Sequence, residues 1–133
     1  MLGTFVLELW KALEPSEHRA VLKFLDSPFH NQRADVRSLA ALLADTPIAE
    51  LNHLHKETVY EVVFPGEAYD NLRFNYTCSF LAQRIEAYFT WQEMDSNGQW
   101  RDWLLCRALR RRGVNEHFVR RKMLLRSYFE LVG

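Results

Sequence analysis

The chain has 133 residues, 48% of them hydrophobic, with only 5 Gly and 4 Pro. A length of this order suits one domain burying about 70% of its unfolded surface, and so few turn formers argue against a β-sandwich. The formal charge of +0 is unlike a dedicated nucleic-acid binder, yet it hides a division: nine Arg/Lys against three acids from residue 101 onward, net +6, and eight against fourteen before it, net −6.

The apolar pattern is helical nearly throughout. Leu2, Phe5, Leu9 and Leu13 fall at helical spacing and predict a first helix ending before Pro15. Glu14-Pro15-Ser16-Glu17 is a restart signal, because proline is tolerated at the first helical position and acids favour the positive helix end. The second helix is expected to bury Val21, Phe24 and Leu25 and to stop at Asp26-Ser27-Pro28, since a residue before proline is pushed out of the α region. A polar loop around Phe29-His30-Asn31 follows, then a third helix marked by Val36, Leu39, Ala40 and Leu43.

Asp45-Thr46-Pro47 is the next stop. A short turn, Ile48 to Leu54, leads to a fourth helix carrying Val59, Tyr60, Val63 and Phe64, closed by Phe64-Pro65-Gly66. Asp70 is the expected cap of a long fifth helix reaching about Glu93, with Phe74, Cys78, Leu81, Ile85, Tyr88 and Phe89 on one face. Asp95-Ser96-Asn97-Gly98 reads as a loop. Gln99 to Arg112 and Asn115 to about Leu131 predict a basic helical hairpin, with Gly113 as the left-handed residue ending its first arm. The fold class is therefore all-α, with six or seven helices in a single domain over 1–133: an acidic part (1–95) and a basic hairpin (99–133).

No apolar run approaches the roughly 18 residues of a membrane span, and the start lacks a basic leader region. These features predict a cytoplasmic protein without membrane contact. Cys78 and Cys106 sit inside apolar patterns and read as buried reduced thiols.

Two segments carry turn chemistry: Lys23-Phe24-Leu25-Asp26-Ser27-Pro28-Phe29-His30-Asn31 and Val63-Phe64-Pro65-Gly66-Glu67-Ala68-Tyr69-Asp70. In each, a helix end and a proline precede an aromatic (Phe29, Tyr69) expected to fold back onto the core. With their Phe-Leu-x-Ser-Pro-aromatic-x-Asn and Phe-Pro-Gly turns, the chain resembles the N-terminal region of larger all-helical bacterial proteins of no assigned activity. The resemblance would cover most of the chain. It implies a helical, repeat-like architecture and no catalytic residue.

The hairpin holds the candidate contact residues. Trp103, Arg107, Arg110 and Arg111 recur at spacings of four, three and one, flanked by Trp100 and Leu104, an aromatic and guanidinium stripe suited to phosphate or carboxylate. Arg120, Arg121 and Lys122 continue it across the Gly113 turn, and Arg121 falls within the apolar face of its own helix. That last helix carries Phe118, Leu125, Tyr128, Phe129 and Val132 on one side, with Val119, Met123, Leu124 and Leu131 on others. A helix apolar on several sides is buried between neighbours, which suggests the start of a longer helical array or a helix that packs on a partner. The candidate apolar interface is Phe118, Val119, Met123, Leu124, Tyr128, Phe129 and Leu131.

Three readings of the hairpin stand side by side: internal neutralisation of the acidic part, a protein partner or self-association, and nucleic-acid contact. A helix-turn-helix reading fits poorly because the second arm is too apolar to expose base-reading side chains. A tetratricopeptide-like hairpin is nearer in shape but lacks that pattern's glycine and proline positions. The histidines are scattered, no metal-ligand spacing is present, and no Gly-x-Ser-x-Gly, Walker or dinucleotide-binding motif occurs. The expectation is a non-enzymatic interaction or scaffold module with no metal or cofactor, and a nucleic-acid-binding helical domain is the alternative.

Overall fold

A computed structural model describes residues 2–114 together with Glu116 and Arg120. These residues form an all-α fold with no strand. In chain order the elements are α1 (Thr4–Ala12), α2 (Glu17–Asp26), α3 (Ala34–Asp45), a 3-10 segment (Ile48–His53), α4 (Lys56–Val63), α5 (Asn71–Ser96) and α6 (Gly98–Arg111). The chain divides into two compact units, Met1–Tyr88 and Phe89–Gly133, with the division inside α5.

Local chemistry sets most boundaries of the first unit. The Glu17 carboxylate reaches back to accept the Glu14 backbone N–H at 2.9 Å, one half of a capping box around Pro15. Asp70 caps α5 by accepting the Arg73 N–H at 3.1 Å. Between α2 and α3, Asn31 closes the turn from both sides. Its amide donates to the Leu25 and Arg33 carbonyls, and its side-chain oxygen accepts the Arg33 N–H. His30 stacks on Phe24 with ring centroids 4.0 Å apart.

Phe29 behaves differently from its expectation. It is 97% exposed and does not fold back onto the core, because Asn31 and His30 already anchor the turn. Tyr69 does pack against the fold, edge-on to Tyr60 at 5.2 Å, and its hydroxyl lies 2.9 Å from Asn71 Oδ1.

The buried faces of α2 (Val21, Phe24, Leu25), α3 (Val36, Leu39, Ala40, Leu43) and α4 (Val59, Tyr60, Val63) are those the spacing predicts. The face of α1 is not. Leu2, Val6, Leu7, Trp10 and Leu13 are buried, whereas Phe5 is 56% exposed. Thr4, Glu8 and Lys11 form a polar stripe, but the apolar sector beside it is wider than the core covers, so the tertiary neighbours choose which part is buried. Trp10 wins because its large ring stacks on His18 at 4.7 Å.

Within the first unit α5 is tied down by polar groups as well as apolar ones. Thr77, Arg84 and Tyr88 recur at spacings of seven and four, so they form one stripe along the helix. Thr77 Oγ1 donates to Asp35 Oδ2 at 2.8 Å, Arg84 donates to the His30 carbonyl at 3.1 Å, and the Tyr88 hydroxyl donates to Glu17 at 3.1 Å. Beside this stripe Phe74, Leu81 and Ile85 are fully buried.

The expected loop at residues 95–98 is absent. α5 continues through Ser96, and the break before α6 is the single residue Asn97. The polar cluster is a capping signal rather than a loop.

Candidate functional site

Asn97 starts α6 by taking an extended backbone conformation while its side-chain oxygen accepts the N–H groups of Gln99 and Trp100 at 3.1 and 3.3 Å. At the other end Gly113, with φ +71°, allows a paired closure. Its N–H donates to Arg110 O, and the Val114 N–H donates to Leu109 O, which is the two-bond Schellman arrangement. The helix register is thus set from both ends. Asn97→Ala should cost about 1 kcal/mol of α6 stability. The check is amide exchange at Gln99 and Trp100, which should accelerate; unchanged exchange at both would show that the cap is redundant.

With the register set, α6 has a sided surface. Cys106 is buried, and Gln99, Asp102, Ala108 and Leu109 are half-buried. Trp100, Trp103, Leu104, Arg107, Arg110 and Arg111 are exposed and share one sector, and Arg101 and Leu105 are exposed outside it. At 100° per residue these six fall within about 120° of arc. Trp100 is 58% and Trp103 42% exposed, although each could contribute a large apolar area if covered. The two indoles meet edge to face at 5.9 Å, and the Arg107 guanidinium lies 5.7 Å from the Trp103 ring centroid. At that distance the ring and the cation attract, so the stripe is pre-arranged. Arg101 pairs with Asp95 at 3.6 Å beside this surface; both groups are well exposed, so the pair contributes little.

The sequence therefore located Trp103, Arg107, Arg110 and Arg111 on one face with Trp100 and Leu104 flanking it, and all six are exposed. Arg120 is helical and exposed. Arg121 and Lys122 lie outside the described residues, as does every member of the candidate apolar interface: Phe118, Val119, Met123, Leu124, Tyr128, Phe129 and Leu131. Apart from Glu116 and Arg120, the second arm of the hairpin lies outside them too, with its Asn115 cap.

Two concave places in the first unit were not legible in the sequence. One is a cleft of about 400 Å³ lined by Arg33, Asp35, Ser38, Val63, Phe64 and Arg73. Its two guanidiniums lie over aromatic faces, Arg33 on Phe80 at 4.1 Å and Arg73 on Phe64 at 3.9 Å. Each also has a carboxylate: Arg33 grips Asp35 through two bonds of 3.0 and 2.6 Å, and Arg73 bonds Glu67 at 2.6 Å. Those four charges cancel, which makes this cleft a structural clasp.

The other is a groove of about 390 Å³ between α3 and α4, lined by Ser38, Ala41, Leu42, Asp45, Thr46 and Val62. Val62 on its rim is 54% exposed, and so is Ile48 just beyond Thr46, at 53%. Elsewhere on the exposed side of α4, Glu57 and Glu61 lie one turn apart.

Neither thiol is set up for chemistry. Cys78 and Cys106 are buried and free. Burial pushes the Cys78 thiol up to about 11, against weaker opposing effects of the Gly3 backbone and Lys56, so it is protonated at neutral pH. Among the described residues no group of three His, Cys, Asp or Glu side chains could hold a metal ion, and no helix is long and apolar enough to cross a membrane. Comparison with protein-family models, curated proteins and solved structures found no match.

Proposed function

We propose that this chain is a non-enzymatic helical interaction module that binds a protein partner through the outward face of α6. One observation carries the reading: Trp100, Trp103 and Leu104 are exposed on the same face as Arg107, Arg110 and Arg111. Tryptophan and arginine dominate interface hot spots, because each combines a large flat contact area with directional donors. Two neighbouring indoles beside a leucine form an apolar anchor, and the arginines form a basic margin suited to carboxylates.

The test is affinity capture with the intact chain and with Trp103→Asp and Leu104→Asp. A charge in the centre of a buried contact should weaken partner recovery at least about tenfold. Equal recovery by both variants would overturn the reading.

A second reading is favoured by the same geometry. Arg107, Arg110 and Arg111 share an exposed face with two aromatic rings, the combination that holds single-stranded nucleic acid by phosphate pairing and base stacking. Fluorescence anisotropy with labelled single-stranded and duplex DNA and RNA separates the two. Binding that falls steeply with salt and weakens in Arg107→Gln would establish contact with nucleic acid. No salt-dependent binding would remove this second reading.

A further inference from the structure

The negative charge of this chain is concentrated. Residues 38–72 hold six acids (Asp45, Glu50, Glu57, Glu61, Glu67, Asp70) against Lys56 alone, a net −5. Residues 1–37 are balanced, five acids against five bases. The acidic stretch is also where the α3/α4 groove opens, with Ala41, Leu42 and Val62 as its apolar part and Asp45 in its wall. Asp45 is the last residue of α3, so the negative pole of that helix adds to the carboxylate. Glu57 and Glu61 add two exposed carboxylates on α4, outside the groove lining.

The face of α6 is the complement in charge. It offers two indoles and a leucine, flanked by three arginines. α6 alone carries Arg101, Arg107, Arg110 and Arg111 against Asp102, a net +3. The whole chain is neutral with a pI of about 7.0, so copies meet without net repulsion while their oppositely charged surfaces attract.

We propose that the partner of α6 is a second copy of this chain, whose α3/α4 groove receives the Trp100–Trp103–Leu104 ridge while Asp45 and the exposed acids of α4 attract Arg107, Arg110 and Arg111. This rests on the α6 reading given above. The two surfaces are different parts of the chain, so the contact is heterologous and leaves one free end of each kind. Copies then add head to tail, and the assembly grows with concentration.

Sedimentation velocity over about a hundredfold range of concentration tests this, at about 50 mM and about 500 mM salt. At low salt the weight-average mass should climb above the 15.8 kDa of one chain, and at high salt it should fall back. The triple variant Arg107→Glu, Arg110→Glu, Arg111→Glu takes α6 from +3 to −3, three reversals of two charges each. The triple variant Asp45→Lys, Glu57→Lys, Glu61→Lys takes residues 38–72 from −5 to +1 in the same way. Each alone should be monomeric, and mixing the two should restore association, because every α6 then finds a groove of opposite charge. All six positions are exposed, and unchanged far-UV circular dichroism would confirm that both variants fold.

A single monomer mass at every concentration would overturn the proposal, as would an association that survives both triple variants or a mixture that stays monomeric. If the monomeric chain still captures another protein through Trp103 and Leu104, only the second copy is removed and the α6 reading stands. If capture is lost as well, both are removed.

Discussion

Trp10→Ala is expected to destabilise the first unit by about 3–5 kcal/mol, the range for truncating a fully buried aromatic. Trp10 is 1% exposed and stacks on His18 at the junction of α1 and α2. Truncation removes that stack and leaves a cavity that α1, only nine residues long, cannot refill. Trp10→Phe should cost far less, under about 1.5 kcal/mol. The indole Nε1–H is buried with no hydrogen-bond partner among the described residues. Its desolvation is a penalty that phenylalanine does not carry, worth about 1–3 kcal/mol, and this offsets part of the lost volume. Urea titrations followed by far-UV circular dichroism would measure both variants. Equal losses in the two would show that the unpaired N–H carries no penalty.

Asp35→Ala should cost about 2 kcal/mol. The Asp35 side chain is 12% exposed and accepts from Arg33 twice and from the fully buried Thr77 once, so its removal leaves donors without their acceptor. The figure stays modest because Arg33 is 41% exposed and can turn to water, and because the Thr77 hydroxyl can turn its one proton to the Arg73 carbonyl, 3.1 Å away. Trp10 is the sole tryptophan before residue 91, so its fluorescence can report this variant.

The same carboxylate predicts a pH dependence. Burial pushes the Asp35 carboxyl up, but the Arg33 and Thr77 bonds, the Arg33 charge and the Val36 amide together push it further down, so it lies below the ordinary aspartate value. A depressed folded-state value means a contribution fully present above the unfolded value of about 3.9 and lost as pH falls through the folded one. The stability gap between the natural chain and Asp35→Asn should therefore be constant at neutral pH and close only below about pH 4. A gap that closes near neutrality would show that another group controls it.

How much of this was legible in the sequence differs from element to element. In α2, α3 and α4 the apolar residues recur along a single stripe, so spacing alone named their buried faces. Helix ends were legible where one residue does the work: Pro28 and Pro47 as stops, Asp70 as a cap, Gly113 as the left-handed closure. Each acts through its own backbone geometry or a bond reaching three residues or fewer, and such information is local. The stretch at 95–98 was misread because aspartate, serine, asparagine and glycine favour both loops and caps. Only the Asn97 bonds to Gln99 and Trp100 distinguish the two.

The sequence by itself determined that the chain is helical, where most helices begin and end, that its charge is split, and that tryptophan and arginine share one side of α6. The tertiary structure alone decided which side of α1 is buried, that Phe29 stays in water, that Asp35 meets Thr77 across 42 residues, and that a groove with Asp45 in its wall lies between α3 and α4. The physical reason is range. Periodicity and capping act over one helical turn and are written in consecutive residues. Burial, clefts and long-range hydrogen bonds depend on which helices become neighbours, which the packing of the whole core settles.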